Sequence, residues 1–164
     1  SFGAFYNFFT IYETDHGISL ETTSYLWSFG VICEIVMLYF QAPFLKKNLL
    51  NIIKFCVALT SFRWLLLFLF PNSLEITFLT QSIHAFSFAL YHSAVIMFLY
   101  TLYENKKLAQ QFMYGVAYGF GGFIGAFIAG YVYGEYLFLY SSIFAFLSLI
   151  MLLLNNNKIN TQRI

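Results

Sequence analysis

Two charged residues fall where no loop accounts for them: Glu34, within GVICEIV, and Arg63, within TSFRWLL. Both stretches are otherwise apolar. A charged side chain near a bilayer centre costs at least about 2.5–3.5 kcal/mol to insert, so such a residue is paired or lines a polar path. A third stretch, Leu74–Leu102, is apolar yet carries Gln81, His84, Ser87, Tyr91 and His92. On a helix turning about 100° per residue these five fall within an arc of roughly 140°. One polar stripe on an apolar helix marks a lined cavity or a set of interhelical hydrogen bonds, because lipid offers those groups no partners. Proton exchange and solute binding are the chemistry such groups support. Glu34 would exchange the proton, Arg63 would bind an anionic group or favour a neighbouring carboxylate, and His84 and His92 would relay protons or hydrogen-bond a solute. The plainer alternative for Glu34 and Arg63 is a buried ion pair that ties two helices.

The elements that would position these groups follow from composition. The chain is 60% hydrophobic and 9% charged, against about 25% charged in soluble proteins. It reads as an all-α integral membrane protein. The net charge of +1 and the lack of a basic patch offer nothing to nucleic acid. Cys33 and Cys56 lie inside apolar segments and read as small buried hydrophobes, not as a disulfide. Polar interruptions divide the chain into six apolar segments: Ser1–Tyr12, Thr23–Phe44, Asn48–Phe70, Leu74–Leu102, Ala109–Tyr133 and Tyr136–Leu154. A polar tail, Asn155–Ile164, follows. The first segment covers only about 18 Å of a hydrocarbon core about 30 Å thick. It is therefore expected to be the end of a membrane helix whose upstream part is missing.

Lys46, Lys47, Lys106, Lys107, Lys158 and Arg163 fall at alternate segment ends, and Glu13, Asp15, Glu21, Glu75 and Glu135 at the others. The positive-inside rule puts the Lys loops and the C-terminus in the cytoplasm. Helix rise places Glu34 at the middle of its segment, with Arg63 and His84 each roughly 6 Å to the acidic side of theirs and His92 the same distance to the other side. Glu34, Arg63 and His84 thus form one layer. His84 and His92 stand about 12 Å apart along one helix, too far for a single ion, and no Cys or carboxylate cluster completes a metal site. Neither a cofactor nor an enzymatic nucleophile–base pair is expected. In the fifth segment Gly115, Gly119, Gly122, Ala126 and Gly130 form a small-residue stripe, a surface for close helix packing. The sixth segment, polar only at Ser141, Ser142 and Ser148, reads as a lipid-facing outer helix.

These residues also carry a resemblance that spans the whole chain. Tyr6-Asn7-Phe8-Phe9 with Ile11-Tyr12, Gly17-Ile18-Ser19, Leu26-Trp27-Ser28, Gly30-Val31 and Glu34-Ile35 stand in order. Arg63-Trp64 follows, then Gln81, Ile83-His84, Phe88, His92 and Ala94, then Gln111, Tyr114, Gly122 and Ala129-Gly130-Tyr131. So ordered, the sequence resembles the C-terminal half, helices seven to twelve, of a major facilitator superfamily transporter. The nearest likeness is the phenylpropionate-permease-like branch, related to the lactose and nucleoside proton symporters. The resemblance implies a six-helix half of a twelve-helix bundle with a truncated first helix. It implies a small-molecule substrate and protons moved by alternating access across the bacterial inner membrane, with an N-terminal six-helix half as partner. Helices seven, eight, ten and eleven would face the cavity. Arg63 and His84 look like the Arg and His of the lactose permease second half, and Glu34 lies near its helix-eight Glu. Ser87 stands where that family has a proton-carrying Glu, which leaves Glu34 as the carboxylate at this depth. An aromatic or other organic acid is the first substrate expectation, then a sugar or nucleoside, then drug efflux. The rival of another class is a non-transporting membrane fragment from a broken gene.

Overall fold

A computed structural model describes residues 1–155, so Lys158, Arg163 and nearly all of the polar tail lie outside the described residues. The described chain is all helical: α1 Phe2–Asp15, α2 Leu20–Phe40, a short α3 Ala42–Leu45, α4 Leu49–Leu69, α5 Leu74–Leu102, α6 Lys106–Tyr131 and α7 Leu137–Leu154. Helices α2, α4, α5, α6 and α7 are long and apolar enough to cross a membrane. α1, at 14 residues, is shorter.

The polar interruptions work as helix starts. The side chains of Ser19, Asn48, Ser73 and Asn105 each accept a hydrogen bond from a backbone N–H of the first turn that follows. Each satisfies one donor that the new helix cannot satisfy itself. Gly17 (φ 90°) and Gly134 (φ 148°) turn the chain after α1 and α6 in backbone conformations that a side chain disfavours.

Helix α4 is the central packing element, lying along α7 and against α5, while α2 packs on α5. Ser61 and Ser142 lock α4 to α7 reciprocally: Ser61 Oγ donates to the Ser142 carbonyl at 3.0 Å, and Ser142 Oγ to that of Ser61 at 2.8 Å. α7 therefore has one face on the bundle and leaves Ile143, Phe144, Phe146 and Met151 exposed on the other. α2 likewise exposes Val31, Ile32, Ile35 and Val36. Apolar surface on this scale belongs against lipid or another protein body.

α1 packs chiefly along α6 and runs parallel to it: Gly3 meets Gly125, Phe8 meets Gly130, and the Tyr133 hydroxyl donates to Asp15 at 2.5 Å. Its inner face places Phe5, Phe9 and Tyr12 in one core with Trp64 and Phe138. The small-residue stripe is only partly used. Gly130 lies against the Phe8 ring, whereas a Cβ at Gly115 or Gly122 would meet no other element among the described residues within 4 Å. The closest approach falls instead at Gly125, one position off the stripe.

A Cβ at Gly3 would sit 2.5 Å from the Gly125 carbonyl carbon and 2.6 Å from Ala126 N. Backbone cannot yield as a side chain can. The strain of about 1–3 kcal/mol for overpacking therefore exceeds the gain of up to about 1 kcal/mol when Gly becomes Ala in a helix. Gly3→Ala is expected to lower the thermal midpoint of the full-length protein, while Gly115→Ala leaves it unchanged or raises it. Equal midpoints would show that the α1–α6 contact is looser than this.

The acidic residues also divide. Asp15, Glu21, Glu75 and Glu135 are solvent-accessible to some degree, but Glu13, expected among them in a loop, lies in the last turn of α1 and is completely buried. The helix outlasts its apolar stretch by one turn.

Candidate functional site

Helices α2, α4 and α5 bring Glu34, Arg63 and His84 into one chain of contacts. Gly30 and Glu34 are four residues apart, so they share the α2 face that meets α5. Gly30 makes the meeting possible: a Cβ there would stand 2.8 Å from Gln81 Oε1 and 3.8 Å from the His84 ring. One turn on, Glu34 Oε1 lies 2.6 Å from His84 Nε2. On the far side of the imidazole, Arg63 Nη1 lies 2.7 Å from His84 Nδ1 and Nη2 donates to Gln81 Oε1 at 3.5 Å.

The direction of these bonds follows from what each group can do. A guanidinium has only donors, so Nδ1 must accept. The imidazole proton is then on Nε2 and points at the Glu34 carboxylate. While Arg63 donates to it, His84 has no free site for a second proton. His84 therefore donates to Glu34 on one side while it accepts from Arg63 on the other. Glu34 and Arg63 are joined through His84 and not as the direct ion pair that their depth suggested.

Arg63 is fully buried. Its Cζ lies 4.2 Å from the centroid of the Phe5 ring and 4.4 Å from that of Trp64, the range of cation–π contact. Nε is buried without a hydrogen-bond partner among the described residues. With no accessible surface of its own, Arg63 in this conformation serves the imidazole.

Beyond His84, α5 departs from a regular α-helix. Residues Ala85–Leu90 form a π turn, and Tyr114–Phe120 of α6 form another. The wider turn retards every later side chain relative to an α-helix, which splits the polar stripe of α5. Gln81, His84 and Ser87 are buried, with Ser87 Oγ donating to the His84 carbonyl at 3.4 Å. Tyr91 and His92 emerge half-buried on a cavity. Phe88 links the two histidines, stacked on His84 at 5.4 Å between centroids and on His92 at 6.2 Å.

The cavity, of about 480 Å³, lies between α1, α5 and α6 and is walled by Tyr6, Asn7, Phe88, Tyr91, His92 and Tyr118 among others. His92 spans it to α6: Nδ1 is 2.7 Å from the Tyr118 hydroxyl and Nε2 is 3.1 Å from that of Tyr114. Tyr6 stands between the cavity and the buried chain, its ring 6.3 Å from that of His84. Gly30, Phe5 and Tyr118 were not singled out for the site by residue type. A Gly in a helix or an aromatic ring in an apolar segment has many equivalents in this chain. Among the described residues no three His, Cys, Asp or Glu side chains gather as a metal site requires.

Apolar helices of spanning length, apolar on their outer faces and polar at their buried centre, define a multi-pass helical membrane protein. The profile of the MFS_1 like family matches residues 1–148, and the chain belongs to that family, a transporter family. It is 30% identical over 141 residues to the uncharacterized transporter YwbF of Bacillus subtilis (strain 168), an alignment covering 84% of this chain and 34% of that protein. The chain thus spans about a third of the length of the curated relative it matches. No solved structure matches it.

Proposed function

We propose that this chain is the second six-helix half of a twelve-helix secondary transporter, which moves a small organic solute together with protons by alternating access. The observation that carries the reading is the chain Glu34–His84–Arg63 packed behind a ring-lined cavity of about 480 Å³. In this reading Glu34 takes and gives the proton, His84 aims at it, and Arg63 fixes the imidazole. Gln81 buttresses Arg63, while Tyr91 and His92 meet the solute. The solute is an aromatic or other organic acid, supported by the rings of Tyr6, Phe88 and Tyr118 and by the Asn7 amide on the cavity wall. Sugars, nucleosides and exported drugs are the alternatives within the same superfamily, and a non-transporting membrane fragment is the alternative outside it. The Lys46-Lys47 and Lys106-Lys107 ends face the cytoplasm of a bacterial inner membrane, the acidic ends face outward, and the N-terminal half closes the cavity from its open side.

The test is reconstitution of the full-length protein in lipid vesicles with an imposed pH gradient. An aromatic carboxylate is expected to accumulate and to bring protons with it, read by an internal pH dye. Accumulation of a sugar or nucleoside instead would move the substrate assignment. No gradient-dependent movement of any of these solutes would refute proton coupling.

A further inference from the structure

One buried acid plays no part in that chain. Glu13 ends α1 at the acidic end of the bundle and is wholly inaccessible, as is the Thr77 side chain of α5 that meets it. Thr77 Oγ1 donates to Glu13 Oε2 at 3.4 Å and also lies 3.1 Å from the Ser73 carbonyl. The second carboxyl oxygen, Oε1, is buried with no hydrogen-bond partner among the described residues. A carboxylate buried with an unfilled oxygen suffers a penalty of several kcal/mol, whereas the neutral acid suffers far less.

The groups facing Glu13 do not offset that penalty. Thr77 approaches from α5. From α1 itself comes Tyr12, whose ring lies tilted against that of His16 at 4.2 Å between centroids and also feels Glu135 from the turn before α7. Burial pushes the Glu13 carboxyl up to about 8, with the Thr77 hydroxyl pulling the other way.

The position matters because of what it joins. α1 rests chiefly on α6, and α5 rests on α2 and α4. Glu13 and Thr77 tie those two groups directly.

We propose that Glu13 is a second proton-binding site, separate from Glu34, and that its proton keeps the ends of α1 and α5 packed together. The neutral acid fits the dry contact, and the carboxylate demands water and parts the two helix ends. The sign follows from linkage. Between the ordinary carboxyl value of 4.5 and about 8, the packed state holds a proton that an exposed Glu has lost. The packing therefore weakens as pH rises through that window. Two proton sites on different helices, one at the centre and one at the acidic end, would let a proton be bound where it enters.

The experiment needs no substrate, so its outcome is independent of whether the full-length protein transports. Infrared titration of that protein in lipid should show a protonated-carboxyl band that disappears around pH 8. Glu13→Gln should lack that band. Amide hydrogen exchange at residues 10–16 and 73–80 should speed up above the midpoint in the natural protein and stay slow in Glu13→Gln. Thr77→Val should move the midpoint to higher pH, since the lost hydroxyl favours the charged form. A band that persists in a folded Glu13→Gln protein overturns the proton site. Exchange that responds to pH alike in both proteins overturns the helix tie. Should Glu13→Gln not fold, an unmoved midpoint in Thr77→Val overturns the assignment.

Discussion

Glu34→Gln in the full-length protein is expected to reduce accumulation driven by a pH gradient to the level of protein-free vesicles, while solute exchange without a gradient continues. The reason lies in the direction of the hydrogen bonds. His84 Nε2 donates to Glu34 Oε1 at 2.6 Å, and the side-chain oxygen of Gln accepts the same bond. The imidazole and Arg63 behind it therefore stay in place, and the cavity walled by Tyr6 keeps its shape. What is lost is the capacity to bind and release a proton. Gradient-driven uptake and counterflow measured on the same vesicles separate the two. Unchanged accumulation would remove Glu34 from the coupling, and loss of both activities would make it a structural residue. His84→Gln should behave differently. It would free Arg63 and Glu34 to pair or repack, so exchange should fall along with accumulation.

The three residues of this chain were legible from the sequence because depth in a membrane helix is simple arithmetic. A charge in an apolar segment has a height, and Glu34, Arg63 and His84 have nearly the same one. Their order was not legible. Height says nothing of azimuth, and only the close approach of Gly30 to Gln81 brings α2 near enough for His84 to reach Glu34.

The π turns were equally hidden. The stretch Ala85–Leu90 holds no Gly or Pro to announce one, so a regular helical arc joined five residues that the structure divides into a buried set and a cavity set. In α6 the repeat of small residues drew attention to Gly115 and Gly122. The backbone contact belongs to Gly125, whose partner Gly3 sits in a segment too short to be read as a packing surface. Glu13 was misplaced for a related reason. The first charge after an apolar run reads as a loop, but the helix continues to Asp15, and Thr77, 64 residues on, receives the side chain.

Arg63→Ala is expected to destabilise the full-length protein by about 3–5 kcal/mol, the range for truncating a large buried side chain to Ala. Three losses coincide. His84 Nδ1 loses its donor at 2.7 Å and Gln81 Oε1 its donor at 3.5 Å. The Phe5 and Trp64 rings, 4.2 and 4.4 Å from the guanidinium carbon, face a void. Arg63→Lys separates charge from shape. An ammonium on a flexible stem keeps the charge but is a single point. It does not present two nitrogens in one plane to His84 and Gln81 while lying flat between two rings. The thermal midpoints of the purified protein should therefore fall in the order natural, Arg63→Lys, Arg63→Ala, with Arg63→Lys nearer to Arg63→Ala. A Lys variant as stable as the natural protein would show that charge alone suffices and that the planar fork is incidental. Uptake of an anionic solute should fall in the same order. Because Arg63 is wholly buried, that fall comes from an imidazole no longer held with its proton toward Glu34. Arg63→Ala also frees Nδ1 to accept a proton. The pH profile of transport in that variant should consequently change shape, which a mere loss of anion binding would not produce.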